Sequence, residues 1–276
     1  MANAVSDSKP TAGLGVFGRI LKPFADFISA FGAHMIMLFS AFVWLFRRPF
    51  RLRLFWEQME FIGVGSLPIV MLVGFFSGAV SALQAINALS IFDQERWVGV
   101  TVGVSLAEEL APVFAGLMIT ARAGSGIATE LGSMRITEQI DALTTFAVNP
   151  TQYLITPRVV AGALMVPVLT MAFNIIGLVG AYLVSITVHN LDVGQVTGLF
   201  TYWVDPRNYI KGLCKAFVFG LALTLAACYQ GFNVRGGAKE VGLATTRSVV
   251  TGSVCILVLD YFLIEVLNAF WPISGE

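Results

Sequence analysis

Two adjacent carboxylates, Glu108 and Glu109, interrupt the apolar run of residues 98–120. A charged group at the centre of a lipid bilayer costs roughly 2.5–3.5 kcal/mol on insertion scales. The pair therefore needs protonation, a cationic partner or a polar cavity. Because adjacent helical residues point about 100° apart, we expect one glutamate to meet a neighbouring helix and the other to face a cavity or interface. Two roles fit this pattern: a polar transport site, and a hydrogen-bonded carboxylate that only locks helix packing.

Two further acids, Asp260 and Glu265, lie in the last apolar run, residues 249–271. Asp260 is the deeper of the two and can pair with a basic residue on another helix. Lys215, near the start of the run 212–233, is a candidate partner, although a lysine there can also snorkel to the interface. Glu265 lies near the end of its run, and we expect it to reach water.

The sequence lacks the residue groups that catalysis requires. Its two histidines, His34 and His189, are far apart, and its three cysteines are too scattered for a disulfide framework or a zinc site. Every lysine is followed by Pro, Gly, Ala or Glu, so no Gly-Lys-Ser/Thr phosphate-binding loop exists. We therefore expect no enzyme activity, no metal and no cofactor. If ATP drives this protein, the motor must be a separate chain.

The composition places these residues in a membrane protein. Hydrophobic residues make up 57% of the 276 residues, only 12% are charged, and the mean hydropathy is +0.79. Soluble domains carry roughly 25% charged residues. The basic and acidic residues number 17 each, which argues against a nucleic-acid partner because such partners require a positive field.

The apolar runs predict an all-α, polytopic helix bundle. A membrane-spanning helix needs roughly 20 apolar residues, and five stretches qualify: 62–83, 98–120, 159–188, 212–233 and 249–271. A sixth stretch, 24–46, holds Asp26 and His34 and follows a polar tail, residues 1–18, that we expect to be disordered. We assign residues 19–56 to an amphipathic, interfacial N-terminal region and residues 57–276 to the domain with five spans.

The basic residues predict which side of the membrane is cytoplasmic. Ten of them fall in three loops that five spans place on one side: Arg47, Arg48, Arg51, Arg53, Arg122, Arg135, Arg158, Arg235, Lys239 and Arg247. The positive-inside rule makes this side cytoplasmic. If the helix at 24–46 is interfacial, thirteen basic residues lie on the cytoplasmic side and four on the other side. If this helix crosses the membrane, the numbers become ten and seven. The interfacial arrangement is favoured, with the C-terminus on the opposite side.

Small residues recur at a spacing of four in the first two spans, at Gly74, Gly78 and Ala82 and at Gly99 and Gly103. This spacing lets helix backbones approach closely. It fits a seam between two copies of the chain, but packing within one chain is favoured.

Residues 121–158, between the second and third spans, carry charged and apolar residues at helical spacing. The apolar set is Ile127, Leu131, Met134, Ile140 and Leu143, and the charged set is Glu130, Arg135, Glu138 and Asp141. The segment predicts a short amphipathic helix on the cytoplasmic side. Its mixed charge favours docking to another protein over adsorption to a membrane, which selects Lys/Arg-rich helices.

The same segment resembles the MlaE/YrbE family of ABC-transporter permeases, which accompany MCE-domain proteins and move lipids between membranes. The resemblance is carried by Arg122-Ala-Gly, Glu130-Leu-Gly and Thr137-Glu138-Gln139-Ile140-Asp141-Ala142, within a similar run at 109–162. It extends from about residue 62 to the C-terminus. The chain departs from the family at Glu108, where family members usually have a basic residue.

The resemblance implies a permease subunit of the bacterial inner membrane that forms a homodimer around a phospholipid cavity. It implies a coupling helix within residues 127–146 that inserts into a separate cytoplasmic ATPase, an MCE-domain partner on the outer side, and a further small cytoplasmic accessory protein. The coupling residues would be Glu130, Arg135, Glu138, Gln139 and Asp141. Glu109 matches the intramembrane glutamate of the family, and the cavity mouth would be lined by Leu83, Gln84 and Asn87.

The residues also allow two functions of other classes. One is a proton-coupled secondary transporter that uses Glu108 or Glu109 as its proton site. Such transporters are commonly built from inverted repeats, and the sequence has no internal repeat. The other is a membrane scaffold that anchors partners without transport.

Overall fold

A computed structural model describes residues 16–47, 51–189 and 191–271 of the chain, and within these ranges every regular element is helical. We number eight continuous helical segments: α1 Val16–Leu45, α2 Leu52–Ser90, α3 Glu95–Ile136, α4 Gln139–Thr145, α5 Thr151–Val188, α6 Val193–Trp203, α7 Pro206–Phe232 and α8 Ala238–Phe270. Of the tail predicted to be disordered, residues 1–18, residues 1–15 lie outside the described ranges, and residues 16–18 form the start of α1.

Five of these segments, α2, α3, α5, α7 and α8, are long and apolar enough to cross a membrane. Each contains its predicted apolar run to within one residue, so the all-α bundle with five spans is confirmed. The apolar part of α1, Phe31–Leu45, is shorter than a span. We call the side on which α3 and α7 end the basic side.

The first helix, α1, packs against two span ends on the basic side. The rings of His34 and Tyr229, the latter near the end of α7, lie 4.0 Å apart between centroids. The Thr156 hydroxyl, near the start of α5, donates a hydrogen bond of 3.3 Å to the Ala41 carbonyl oxygen. Both contacts are with span ends on the basic side, where the predicted interfacial helix was expected.

The centre of the bundle is formed by α5 and α7, against which the other spans pack. Where α2 crosses α5, a Cβ atom on Gly78 would overlap the carbonyl oxygen of Gly177, and one on Gly180 would overlap that of Phe75. Gly74, Gly78 and Ala82 are buried in this contact. Their spacing therefore serves packing within one chain, which is the favoured alternative.

The segment between α3 and α5 differs from the predicted single helix within residues 127–146. The second span continues to Ile136, because Ile127 and Leu131 are fully buried in the bundle. The helix then breaks at Glu138, whose φ of 60° is left-handed, and α4 is only seven residues long. The apolar face predicted for this segment is covered by the chain itself, and only the region after the break projects.

Candidate functional site

A buried ammonium group joins three spans in the interior of the bundle. Lys215 Nζ on α7 lies 2.6 Å from Glu109 Oε1 on α3 and 3.1 Å from Asp260 Oδ1 on α8. The Lys215 residue is only 1% exposed. A buried charge is tolerated when it is paired and hydrogen-bonded, and here two carboxylates share one lysine. The partnership of Lys215 and Asp260 considered from the sequence is present, with Glu109 as an additional member.

A second lysine lies one helical turn earlier on α7. Lys211 Nζ donates a hydrogen bond of 3.1 Å to Asn268 Oδ1 on α8 and lies 3.8 Å from Glu108 Oε1. The Lys211 side chain is buried, whereas Glu108 is one-fifth exposed. Glu108, which stands where family members usually have a basic residue, is thus paired with a lysine of another helix. Neither Lys211 nor Asn268 was predicted from the sequence as a site residue. The signal that could have identified Lys211 is its spacing of four from Lys215, which places two lysines on one helix face, as partners for a pair of acids on a facing helix.

The expectation that only one of Glu108 and Glu109 meets a neighbouring helix is wrong, because both pair with lysines of α7. They lie in a π-helical turn, Leu106–Leu110. A π turn closes its hydrogen bonds over five residues and not four, so neighbouring side chains diverge less than the 100° of an α-helix. The two glutamates can then reach two lysines that lie above one another on α7. We call Glu108, Glu109, Lys211, Lys215 and Asp260 the charge cluster.

Three of the five predicted coupling residues form ion pairs within the chain. Glu130 Oε1 lies 2.8 Å from the guanidinium of Arg158 at the start of α5, and the Arg158 side chain is only 4% exposed. Arg135 and Asp141 pair at 2.7 Å across the helix break, and this contact ties α4 to the end of α3. These three residues position the segment.

The other two, Glu138 and Gln139, lie at the break itself and are exposed. Neither side chain has an ion pair or hydrogen bond within the described part of the chain. Phe146, just after α4, is 78% exposed on the same side. The exposed tip formed by Glu138, Gln139 and Phe146 is therefore the part of the segment that is available to another protein.

Arg122, from the motif Arg122-Ala-Gly, connects α3 to α2. Its guanidinium donates a hydrogen bond to the Phe61 carbonyl oxygen and lies 4.7 Å from the centroid of the Phe61 ring. Phe61 belongs to a π-helical turn of α2, Glu60–Val64. Gly65 makes room for the guanidinium, because a Cβ atom there would overlap it. Arg122 thus anchors the irregular turn that joins the two halves of α2.

The predicted cavity residues Leu83, Gln84 and Asn87 are all exposed on α2, toward the side opposite the basic side. They continue an exposed apolar stripe formed by Leu72, Phe76 and Val80. In the most apolar 18 residues of each helix, 28% of the residues of α2 and 11% of those of α8 are buried inside the bundle, whereas 61% of those of α7 are buried. The two peripheral spans therefore have large outward surfaces. Glu265 is exposed near the end of α8.

Comparison with known proteins identifies the family. Residues 55–266 match the family described as Permease MlaE. A probable ABC transporter permease protein of Rickettsia felis is 40% identical over 254 residues, covering 91% of this chain and 97% of the relative. The intermembrane phospholipid transport system permease protein MlaE of Haemophilus influenzae is 35% identical over 249 residues, covering 89% and 95%.

A more distant relative comes from a plant. The chloroplastic protein TRIGALACTOSYLDIACYLGLYCEROL 1 of Arabidopsis thaliana is 31% identical over 207 residues, covering 75% of this chain and 59% of the relative. The family match covers most of the chain: nearly all of α2, all of α3, α5 and α7, and α8 as far as residue 266, so that all five residues of the charge cluster lie within it. This multi-pass membrane protein belongs to the MlaE permease family.

Proposed function

We propose that this chain is the membrane-spanning permease subunit of an ABC transporter that moves phospholipids between the bacterial inner membrane and an MCE-domain protein on its outer side. The observation that carries the proposal is the 35% identity, over 89% of the chain, to a permease named for intermembrane phospholipid transport. The basic side would be cytoplasmic, as the positive-inside rule requires. The C-terminus would be periplasmic.

The ATPase would bind the exposed tip around α4, together with a small cytoplasmic accessory protein. Glu138, Gln139 and Phe146 supply polar and apolar contacts for such a partner. The Arg135–Asp141 pair, at 2.7 Å, would transmit the movement of α4 to the end of α3. Because α3 is continuous from Glu109 to Ile136, a displacement at the tip would reach the charge cluster along about 40 Å of helix.

A second copy of the chain would complete the lipid cavity. The outward surfaces of α2 and α8 are apolar and sparsely covered, as a dimer contact and a lipid-lined cavity both require. Leu83, Gln84 and Asn87 on α2 would lie at the cavity mouth, beneath the MCE-domain partner. The two amides would give that mouth a polar rim beside the apolar wall.

The charge cluster would hold α3, α7 and α8 together while the cavity changes shape. Each glutamate has a lysine partner, at 3.8 Å for Glu108 and 2.6 Å for Glu109. Both glutamates thus take part in contacts that join spans. The proton-coupled alternative, in which Glu108 or Glu109 takes up and releases a proton, is favoured less because the sequence has no internal repeat of the kind that such transporters commonly have.

The proposal is tested by reconstituting the chain with its ATPase and MCE-domain partners in proteoliposomes. Glu138→Lys should lower ATP-dependent lipid transfer at least about tenfold, because a buried interface contact to a charged group contributes enough for that change. Glu57→Lys makes the same charge change at an exposed residue of α2, where it removes only the surface ion pair with Arg53. Exposed pairs contribute little to stability, so this control should leave transfer unchanged. Lipid transfer that follows a pH gradient and ignores ATP would overturn the proposal.

A further inference from the structure

A groove of about 1240 Å³ opens on the basic side between α1, α4 and the end of α7. Ile36 and Met37 of α1 form one apolar wall, and Ile140 and Phe232 form the facing one. The groove lies at the far end of the bundle from Leu83, Gln84 and Asn87. It is therefore separate from the lipid cavity assigned to the dimer.

The charged groups of the groove have an excess of one positive charge. Arg135 and Asp141 line it and pair with each other at 2.7 Å. Arg235, just beyond the end of α7, also lines it and is exposed. Among the described residues, no group forms an ion pair or hydrogen bond with the Arg235 guanidinium. An unpaired guanidinium favours an anion whose oxygens can accept two of its hydrogen bonds at once, such as a phosphate group.

The walls of the groove place it at the boundary between hydrocarbon and water. On the α1 side the outward residues are apolar, since Ile36 and Phe39 are each 69% exposed and Phe42 is 59% exposed. An exposed apolar surface of this kind marks a contact with lipid or with another protein, and lipid is the contact expected where α1 lies along the membrane interface. On the α4 side the outward residues Asp141 and Thr144 are polar and exposed. An occupant that joins an acyl chain to an anionic head matches both the apolar α1 side and the unpaired Arg235.

We propose that this groove binds one membrane phospholipid from the leaflet on the basic side. Arg235 donates hydrogen bonds to the phosphate, and one acyl chain lies along Ile36 and Met37. The lipid would bridge α1 and α4, so that the segment assigned to the ATPase is held by a component of the membrane. The site does not depend on the proposed function, because a lipid can occupy it whether or not the chain transports lipids.

The test uses the full chain in phosphatidylcholine vesicles that contain a minor fraction of photoactivatable phosphatidylglycerol. We expect labelling at Met37 in the groove and, separately, at Leu83 near the opposite side. Arg235→Gln should lower labelling at Met37 about tenfold, the change expected when a charge-assisted hydrogen bond is lost, and leave labelling at Leu83 unchanged. Ala33→Trp, which fills the groove from α1, should abolish labelling at Met37.

Lys239→Gln is the matched control, because Lys239 is exposed on the same side but does not line the groove. An equal loss of labelling with Lys239→Gln would show a general attraction of phosphatidylglycerol to the basic side and overturn the site. Unchanged labelling at Met37 in both groove variants would overturn it as well. So would labelling that disappears when the ATPase subunit binds, since the groove would then belong to that partner. Failure of ATP-dependent transfer alone would count only against the proposed function.

Discussion

Lys215 Nζ lies 2.6 Å from Glu109 Oε1 and 3.1 Å from Asp260 Oδ1, so one buried ammonium group holds the second, fourth and fifth spans together. The lysine side chain is almost fully buried, whereas the two carboxylates keep 34% and 21% of their surface. Of these three groups, the lysine ammonium is therefore the one whose desolvation costs the most free energy. Its partners must therefore stay in place for the fold to be stable.

Lys215→Met should destabilise the protein by about 3 kcal/mol, the lower end of the range for removing one partner from a buried ion pair. The reason is that Glu109 and Asp260 would face each other without their shared cation. The measurement is the thermal unfolding of the purified chain in detergent. Lys239→Met, at an exposed lysine, is the control and should shift the transition little. Equal transitions for the two variants would contradict the role assigned to Lys215.

Glu108→Lys restores a basic residue at the family position, but in this chain it should destabilise the protein. The new ammonium group would approach Lys211, whose Nζ lies 3.8 Å from the present carboxylate. The double variant Glu108→Lys with Lys211→Glu should recover part of the loss, because the pair is re-formed in the opposite sense. A double-mutant cycle on thermal stability measures the coupling, expected at about 0.5–3 kcal/mol for residues in contact. A coupling of zero would show that the two residues do not interact.

Glu130→Ala should lower stability, whereas Glu138→Ala should not. Glu130 is the ion-pair partner of the buried Arg158 at 2.8 Å, and removing it leaves a buried guanidinium without its carboxylate. Because half of the Glu130 side chain is exposed, we expect a loss of about 1–2 kcal/mol and not the full cost of a buried pair. Glu138 is exposed and has no such partner. Thermal unfolding of both variants, followed by a measurement of ATPase binding, distinguishes Glu130 as a positioning residue from Glu138 as a contact residue. A Glu138→Ala variant that is less stable than Glu130→Ala would contradict these roles.

Gly78→Leu should prevent the close approach of α2 and α5. A side chain at Gly78 would overlap the backbone of Gly177, and overpacking of this kind costs about 1–3 kcal/mol or more. Gly242→Ala is the control, since nothing lies within 4 Å of a Cβ atom there. In a helix that control should be neutral or stabilising by up to about 1 kcal/mol. The measurement is the temperature up to which each purified variant stays folded and monodisperse, which should be lower for Gly78→Leu than for Gly242→Ala. Equal temperatures for the two variants would contradict the close packing of α2 against α5 at Gly78.

The sequence predicted the spans well because the membrane acts on each helix separately. A run of apolar residues must cover the hydrocarbon whatever lies beside it, so 98–120 and 159–188 could be recognised without knowledge of their neighbours. The segment around α4 was predicted less well. Its residues Ile127 and Leu131 were assigned to the apolar face of a short amphipathic helix that docks to another protein, but they are buried within the bundle. The break at Glu138 has a backbone conformation that no residue type in the sequence requires.

The tertiary structure alone decided the pairing of the charges. The sequence established that Glu108, Glu109 and Asp260 lie within apolar runs and need partners, because an isolated charge in a membrane is costly. Which lysine meets which acid depends on the rotation of α3 about its axis, and a π-helical turn at Leu106–Leu110 changes that rotation. Membrane insertion is thus determined residue by residue along the chain. The charge cluster is determined by distances between atoms that are far apart in sequence, and only the packed bundle brings them together.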